Sequence, residues 1–309
     1  MQETLWSNWS TFLQPEATDD MLTLENDILK VEVGETGAEL RSIFHKLNGL
    51  QYLWDGNPQF WNRRAPLLFP IVGRLKNDTM SYQGQNYHMT QHGFVRDMLF
   101  EIMASTTQEI TLKCESNSET KMKYPFEWVL YNKYSVNNNI LSVESEVVNN
   151  SNSEPMLFSI GYHPAFRVPL VENLSYEDYE LTLNHVPSSL QRHLIKDGLI
   201  DNFTESCLKG GLLSLSADTF ANDAMVFKNI DTDEIILSSQ RSPHGIRFMY
   251  KGFPYLGIWS KPNAHFVCLE PWHGIADRVS HDGNFENKEG IIQLASGETF
   301  RCGYQVALY

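Results

Sequence analysis

The sequence predicts an all-β fold, a large antiparallel β-sandwich. Hydrophobic residues recur with a period of two from Met21 onward. Gly, Asn and Pro punctuate those runs at short intervals, and aromatic residues are frequent within them. Segments of helical period are confined to one-turn pieces around 58–64 and 218–222 and to the first twenty residues. Many short strands joined by turns belong to a sandwich rather than to an α/β fold.

The strands follow in order. Ile28–Val33 alternates and turns through Gly34–Gly37 into a second strand, Ala38–Phe44. Met80–Tyr82 and Asn86–Met89 flank Gln83-Gly84-Gln85, a hairpin signal. Glu109–Cys114 precedes a longer pair, Trp128–Val136 and Ile140–Val147, which meets across Asn137-Asn138-Asn139. The same alternation marks Tyr179–Leu183, Ile235–Leu237, Ile246–Tyr250, Leu256–Trp259 and Phe300–Leu308. No composition shift, internal repeat or low-complexity segment divides residues 21–309, so one β-sandwich domain is expected there. Residues 1–20 carry Leu5, Trp6, Trp9, Phe12 and Leu13 at helical spacing before a polar stretch. They read as an N-terminal extension with a short helix packed on the domain.

Composition excludes several classes. At 309 residues the chain can bury a core without disulfides or metal. A net charge of −14 argues against nucleic acid and anionic membranes as partners, and more weakly against a strongly anionic substrate. Cys114, Cys207, Cys268 and Cys302 are scattered without C-x-x-C spacing, so each is expected to be a small buried hydrophobe. No apolar run is long enough to span a membrane and no signal peptide is evident, which points to a cytoplasmic protein. The histidines show no H-E-x-x-H or comparable metal spacing.

Two segments hold polar groups in stiff backbone. In Gly161-Tyr162-His163-Pro164-Ala165-Phe166 the proline pushes His163 towards an extended conformation, and Gly161 lets the chain leave the preceding strand. In Leu269-Glu270-Pro271-Trp272 a glutamate ends an apolar run and is restrained in the same way. A lone histidine of this kind is more often a half-buried strand residue than a catalytic one. A glutamate in apolar surroundings, however, needs a partner, and the two together look like an acid/base pair. Two further segments have the same character. Phe69-Pro70-Ile71-Val72-Gly73-Arg74 delivers Arg74 just past a glycine, and Gln91-His92-Gly93-Phe94 places His92 where Gly93 allows close approach by a ligand. The competing readings are an Arg74–Asp78 surface pair and a plain loop histidine.

In family order these four segments resemble the aldose 1-epimerase (galactose mutarotase) family, in its LacX-like branch, over essentially residues 22–309. The resemblance implies a β-sandwich of galactose-mutarotase type and an isomerase that interconverts α and β anomers of a hexose by opening and closing the ring. It implies Glu270 as base on the C1 hydroxyl and His163 as acid on the ring oxygen, starting as carboxylate and imidazolium. His92 would bond the sugar near the ring oxygen and Arg74 its hydroxyls, with no metal or cofactor. A hydroxyl-binding aspartate falls on Asp223, which reads equally well as a turn-capping residue. Trp272, and less so Trp259 and Phe94, could stack on a pyranose face. Arg64, Arg74 and Arg96 leave open a hexose 6-phosphate as substrate, or they are ion-pair partners, with Asp97 to hand. A sugar-binding module without catalysis is the alternative outside enzymes. A glycosidase would need a second carboxylate. The expected partner is a small-molecule sugar, for a monomer or homodimer.

Overall fold

The computed structural model describes residues 21–187 and 190–309; the expected N-terminal helix lies outside them. Two antiparallel sheets face each other. The first has nine strands, ordered Leu212–Ser214, Glu180–Leu183, Glu234–Ser239, Ser242–Met249, Thr299–Leu308, Ile140–Asn149, Trp128–Asn137, Glu109–Glu115 and Glu101–Ser105. The second runs Leu199–Glu205, Gln191–Lys196, Met225–Lys228, Tyr255–Trp259, Phe266–His273, Ile160–Tyr162 and Leu67–Leu68, with Ala165–Arg167 also paired to Phe266–His273. A four-stranded sheet, Met21–Glu25 to Leu50–Gln51, flanks them. The fold is the all-β sandwich that the alternation predicts.

The core lies between the large sheets because their alternating apolar residues point at one another. Tyr162 from the second sheet meets Tyr304 of the first with ring centroids 4.9 Å apart, and Phe166 meets Phe248 at 5.7 Å. The Tyr162 hydroxyl donates to Ser145 Oγ at 2.8 Å, and Ser145 donates to Asn132. These two hydroxyls and the Asn132 amide are therefore partnered, whereas Trp128 Nε1 is buried without a hydrogen-bond partner among the described residues. Phe69, Phe158 and Trp128 close one end of the core.

Three local expectations are corrected. Residues around 58–64 and 218–222 form turns rather than helical pieces, and the one described α-helix is Ser118–Lys121. Asn117 caps it by accepting from the amides of Glu119 and Thr120. The apolar run 65–75, which with a proline at each end reads as a strand that delivers Arg74, is strand only at Leu67–Leu68. Cys207 is exposed, not a buried hydrophobe, whereas Cys114 and Cys268 are buried.

Beyond the second sheet, the loop after Phe266–His273 is pinned by a buried ion pair. Lys288 Nζ donates to Asp277 Oδ1 at 2.8 Å and to the Ile275 carbonyl at 2.6 Å, and the Lys76 amide donates to Asp277 Oδ2. Both side chains are almost fully shielded from solvent. Lys288→Met would leave the Asp277 charge buried without its partner. The expected loss is about 3–5 kcal/mol of unfolding free energy, measured by urea denaturation.

Candidate active site

The side of the second sheet that faces away from the core builds the site. Gly161 pairs with Trp272 and Ala165 with Cys268. The register is the same on both sides of the break between Tyr162 and Ala165, so His163, midway, falls opposite Glu270. Positions two apart on a strand share a face, so Cys268, Glu270 and Trp272 all project the same way as His163. His163 Nε2 lies 3.1 Å from Glu270 Oε2. His163 is 8% exposed and Glu270 2%. The break also explains Pro271 inside a central strand. The Leu269 amide donates to the Pro164 carbonyl on this side, so the Pro271 nitrogen turns towards the interrupted strand, where no ladder bond is required.

Trp272 forms a floor. Its indole lies across the sheet between two neighbouring strands that both present glycine. A Cβ on Gly161 would come within 2.5 Å of the Trp272 ring, and one on Gly257 within 2.6 Å. Gly161 is thus required for ring clearance and not, as the sequence suggested, for leaving a strand. Gly93 behaves similarly. Its φ is +73° and a Cβ there would lie 2.2 Å from the Phe69 carbonyl, so the close approach is by the protein's own backbone and not by a ligand.

A pocket of about 360 Å³ opens above this face. Glu270, His163, His92, Gln91, Arg96 and Asp223 supply its polar groups, and Trp61, Trp259 and Trp272 its aromatic ones. Trp61 lies over His163 with ring centroids 4.8 Å apart, and His92 meets the same ring edge-on at 5.7 Å. Ile195, Ile200 and Val226 form the apolar wall.

The positions of the other expected residues differ. Arg96 lines the pocket, donates to the Gln91 carbonyl at 2.8 Å, and leaves Nε without a hydrogen-bond partner among the described residues. Asp223 has φ +69°, accepts from the Ala224 amide at 2.7 Å and also lines the pocket. Arg74 is held by Asp78 through two bonds of 2.7 and 2.8 Å and does not line the pocket. Arg64 is turned to the Asp55 carbonyl, and Arg63, not Arg64 or Arg96, makes the short bond to Asp97. Phe94 packs beside Trp128. Trp61 and the hairpin Gln191–Glu205 were not anticipated. The hairpin had a signal, Asp197-Gly198 between apolar residues, and both turn residues have positive φ.

Burial sets the protonation of the site. His163 is pushed down to about 3, chiefly by burial and further by the nearby Arg96 and Arg63 charges. Glu270 is pushed well above the usual carboxylate range by burial and by Asp223. The expected resting pair of carboxylate and imidazolium is thereby corrected. A desolvated site disfavours both charges, and the dyad rests as carboxylic acid and neutral imidazole, holding one proton between them. His92 is also kept neutral, first by burial and then by His163. Its Nδ1 accepts from the Gly73 amide at 3.1 Å, which leaves the proton on Nε2, 3.2 Å from the Gln91 side-chain amide.

A buried one-proton dyad beside an indole floor suits proton transfer on a small polar ring. The chain matches the aldose 1-epimerase family over residues 20–293. It is 32% identical to the chromosomal protein LacX of Lactococcus lactis subsp. lactis, covering 93% of this chain and 99% of that one. It superposes with a TM-score of 0.88 on a galactose mutarotase related enzyme from Lactobacillus acidophilus, at 35% identity over 94% of this chain and 97% of that one. A galactose mutarotase-like protein from Lactobacillus casei ATCC 334 gives the same TM-score at 33% identity, over 94% of this chain and 100% of that one. With residues 20–293 matched, the chain is a member of the aldose 1-epimerase family.

Proposed function

We propose that the protein is an aldose 1-epimerase acting on a free hexose, with Glu270 and His163 as its acid/base pair. The observation that carries this reading is their contact across the strand break, 3.1 Å apart at the base of a pocket floored by Trp272. In the anomeric centre of a pyranose the hydroxyl and the ring oxygen are bonded to the same carbon. Two proton-transfer groups side by side therefore reach both. Glu270 takes the proton of the C1 hydroxyl as the bond from C1 to the ring oxygen breaks, and His163 protonates that oxygen. The aldehyde turns about its bond to C2, and the reverse transfers close the ring on the other face. One proton enters the sugar as one leaves, so the dyad ends with the number it began with. Glu270 starts this sequence as the carboxylate, the tautomer with the proton on His163. The sugar's hydroxyls lower the cost of that tautomer by hydrogen bonding to the charges.

His92 lines the pocket beside His163, and Arg96 and Asp223 supply groups for hydroxyls. A free sugar is favoured over a phosphate ester because of the three arginines considered, only Arg96 faces the pocket; Arg64 and Arg74 are engaged elsewhere. A phosphate there would also meet Asp223 and Glu270. Catalysis is favoured over binding alone because sequestering a buried imidazole and carboxyl against each other costs desolvation that hydroxyl recognition does not require.

Polarimetry of freshly dissolved α-D-galactose, α-D-glucose and glucose 6-phosphate tests the reading. Acceleration is expected with a free sugar, and Glu270→Gln or His163→Asn should lower it about 10²–10⁴-fold. Acceleration confined to the phosphate ester, or none with any aldose, would overturn it. The pH profile of kcat/KM should be bell-shaped, because only the one-proton dyad is competent. Its acid limb falls near pH 3, where His163 gains a second proton, and its alkaline limb lies above the usual carboxylate range, where the dyad loses its last. Gly161→Ala should displace Trp272, raising KM and costing about 1–3 kcal/mol of stability by overpacking, read by polarimetry and urea denaturation on the same sample.

A further inference from the structure

Cys268 has no part in the proton transfers, yet its strand position is two before Glu270 and opposite Ala165. The methyl of Ala165 leaves the thiol room on the face where Glu270 and His163 meet. Cys268 Sγ, a Glu270 oxygen and a His163 ring nitrogen all lie within 4.8 Å of one another, and all three residues are buried. The His163–Glu270 pair is 3.1 Å apart. A tetrahedral zinc ion, with bonds of about 2.0–2.3 Å, holds its ligand atoms roughly 3.5 Å apart, which falls inside that range. His163 Nδ1 is buried without a hydrogen-bond partner, so no bond at that nitrogen resists a rotation of the ring towards an ion.

We propose that Cys268, Glu270 and His163 form a site for a thiophilic divalent cation such as zinc, whose binding shuts the pocket down. The donor set selects the ion. Thiolate and imidazole favour zinc-like cations over magnesium or calcium, which take oxygen ligands. The charges also close: the doubly charged cation displaces the protons of the Cys268 thiol and the Glu270 carboxyl to solvent and meets one thiolate and one carboxylate, so the occupied site is neutral, as a buried site must be. Three protein ligands leave a fourth position directed at the pocket. The ion is an inhibitor and not a cofactor, because it occupies the lone pairs through which Glu270 and His163 exchange protons. That inhibitory consequence rests on the proposed acid/base role; the binding itself does not.

The test uses the full chain carrying Cys207→Ser, which removes the exposed thiol, and reads metal binding without sugar. Cobalt(II) should bind one per chain with a sulfur-to-metal charge-transfer band in the near ultraviolet. Zinc should displace it, and Cys268→Ser should remove the band and weaken zinc at least tenfold. Zinc K-edge absorption of the protein with Cys268 intact should show one sulfur in the first shell, a measurement that does not depend on the variant folding. A first shell of nitrogen and oxygen alone, or a band that survives Cys268→Ser, would overturn the site. Zinc should also abolish mutarotation and a chelator restore it. Sulfur-ligated zinc that leaves mutarotation intact would overturn the inhibitory half, whereas mutarotation absent before any metal is added would count against the proposed function only.

Discussion

Everything in the site depends on one cross-strand register. Gly161 opposite Trp272 and Ala165 opposite Cys268 fix the two halves of an interrupted strand against one continuous partner. Between them the chain has a single residue, His163, that can face Glu270. A slip of one residue would turn His163 into the core and Tyr162 out of it. The core resists that slip, because the Tyr162 hydroxyl is committed to Ser145 and its ring to Tyr304. Packing on one face of the sheet thus sets the distance between two reactive groups on the other.

The same face shows how small residues shape a pocket. Trp272 can lie flat because Gly161 and Gly257 on either side present no side chain. Larger residues there would stand the ring up and fill the space the pocket occupies. Behind this floor the Lys288–Asp277 pair ties down the segment that contributes Ile275 and Ala276 to the lining. Burial then acts on the dyad twice. It brings the two groups into a dry contact, and it raises the proton affinity of Glu270 while lowering that of His163, so that the shared proton rests on the carboxyl.

Much of this could be read along the chain. Period-two alternation and turn residues sufficed for the all-β sandwich, because alternation is a local property of strands. His163, Glu270 and Trp272 stood out because proline restrains the residue before it and a carboxyl in an apolar run needs a partner. Arg64 and Arg74 show the limit. An arginine in a suggestive motif reads the same whether it faces a ligand or an aspartate, and Arg74 turned to Asp78. Trp61 had no mark at all, since its place over His163 comes from a loop distant in sequence.

The sequence by itself determined the class of fold, the strands that carry the dyad, and the chemistry available to it, since these follow from residue type and short-range pattern. Only the tertiary structure decided that His163 and Glu270 touch, that the resting dyad is uncharged, that two of the three arginines turn away, and that Cys268 joins the pair. The physical reason is that contact and desolvation depend on which strands become neighbours. That choice is made by the packing of distant segments, which leaves no signature in the immediate sequence.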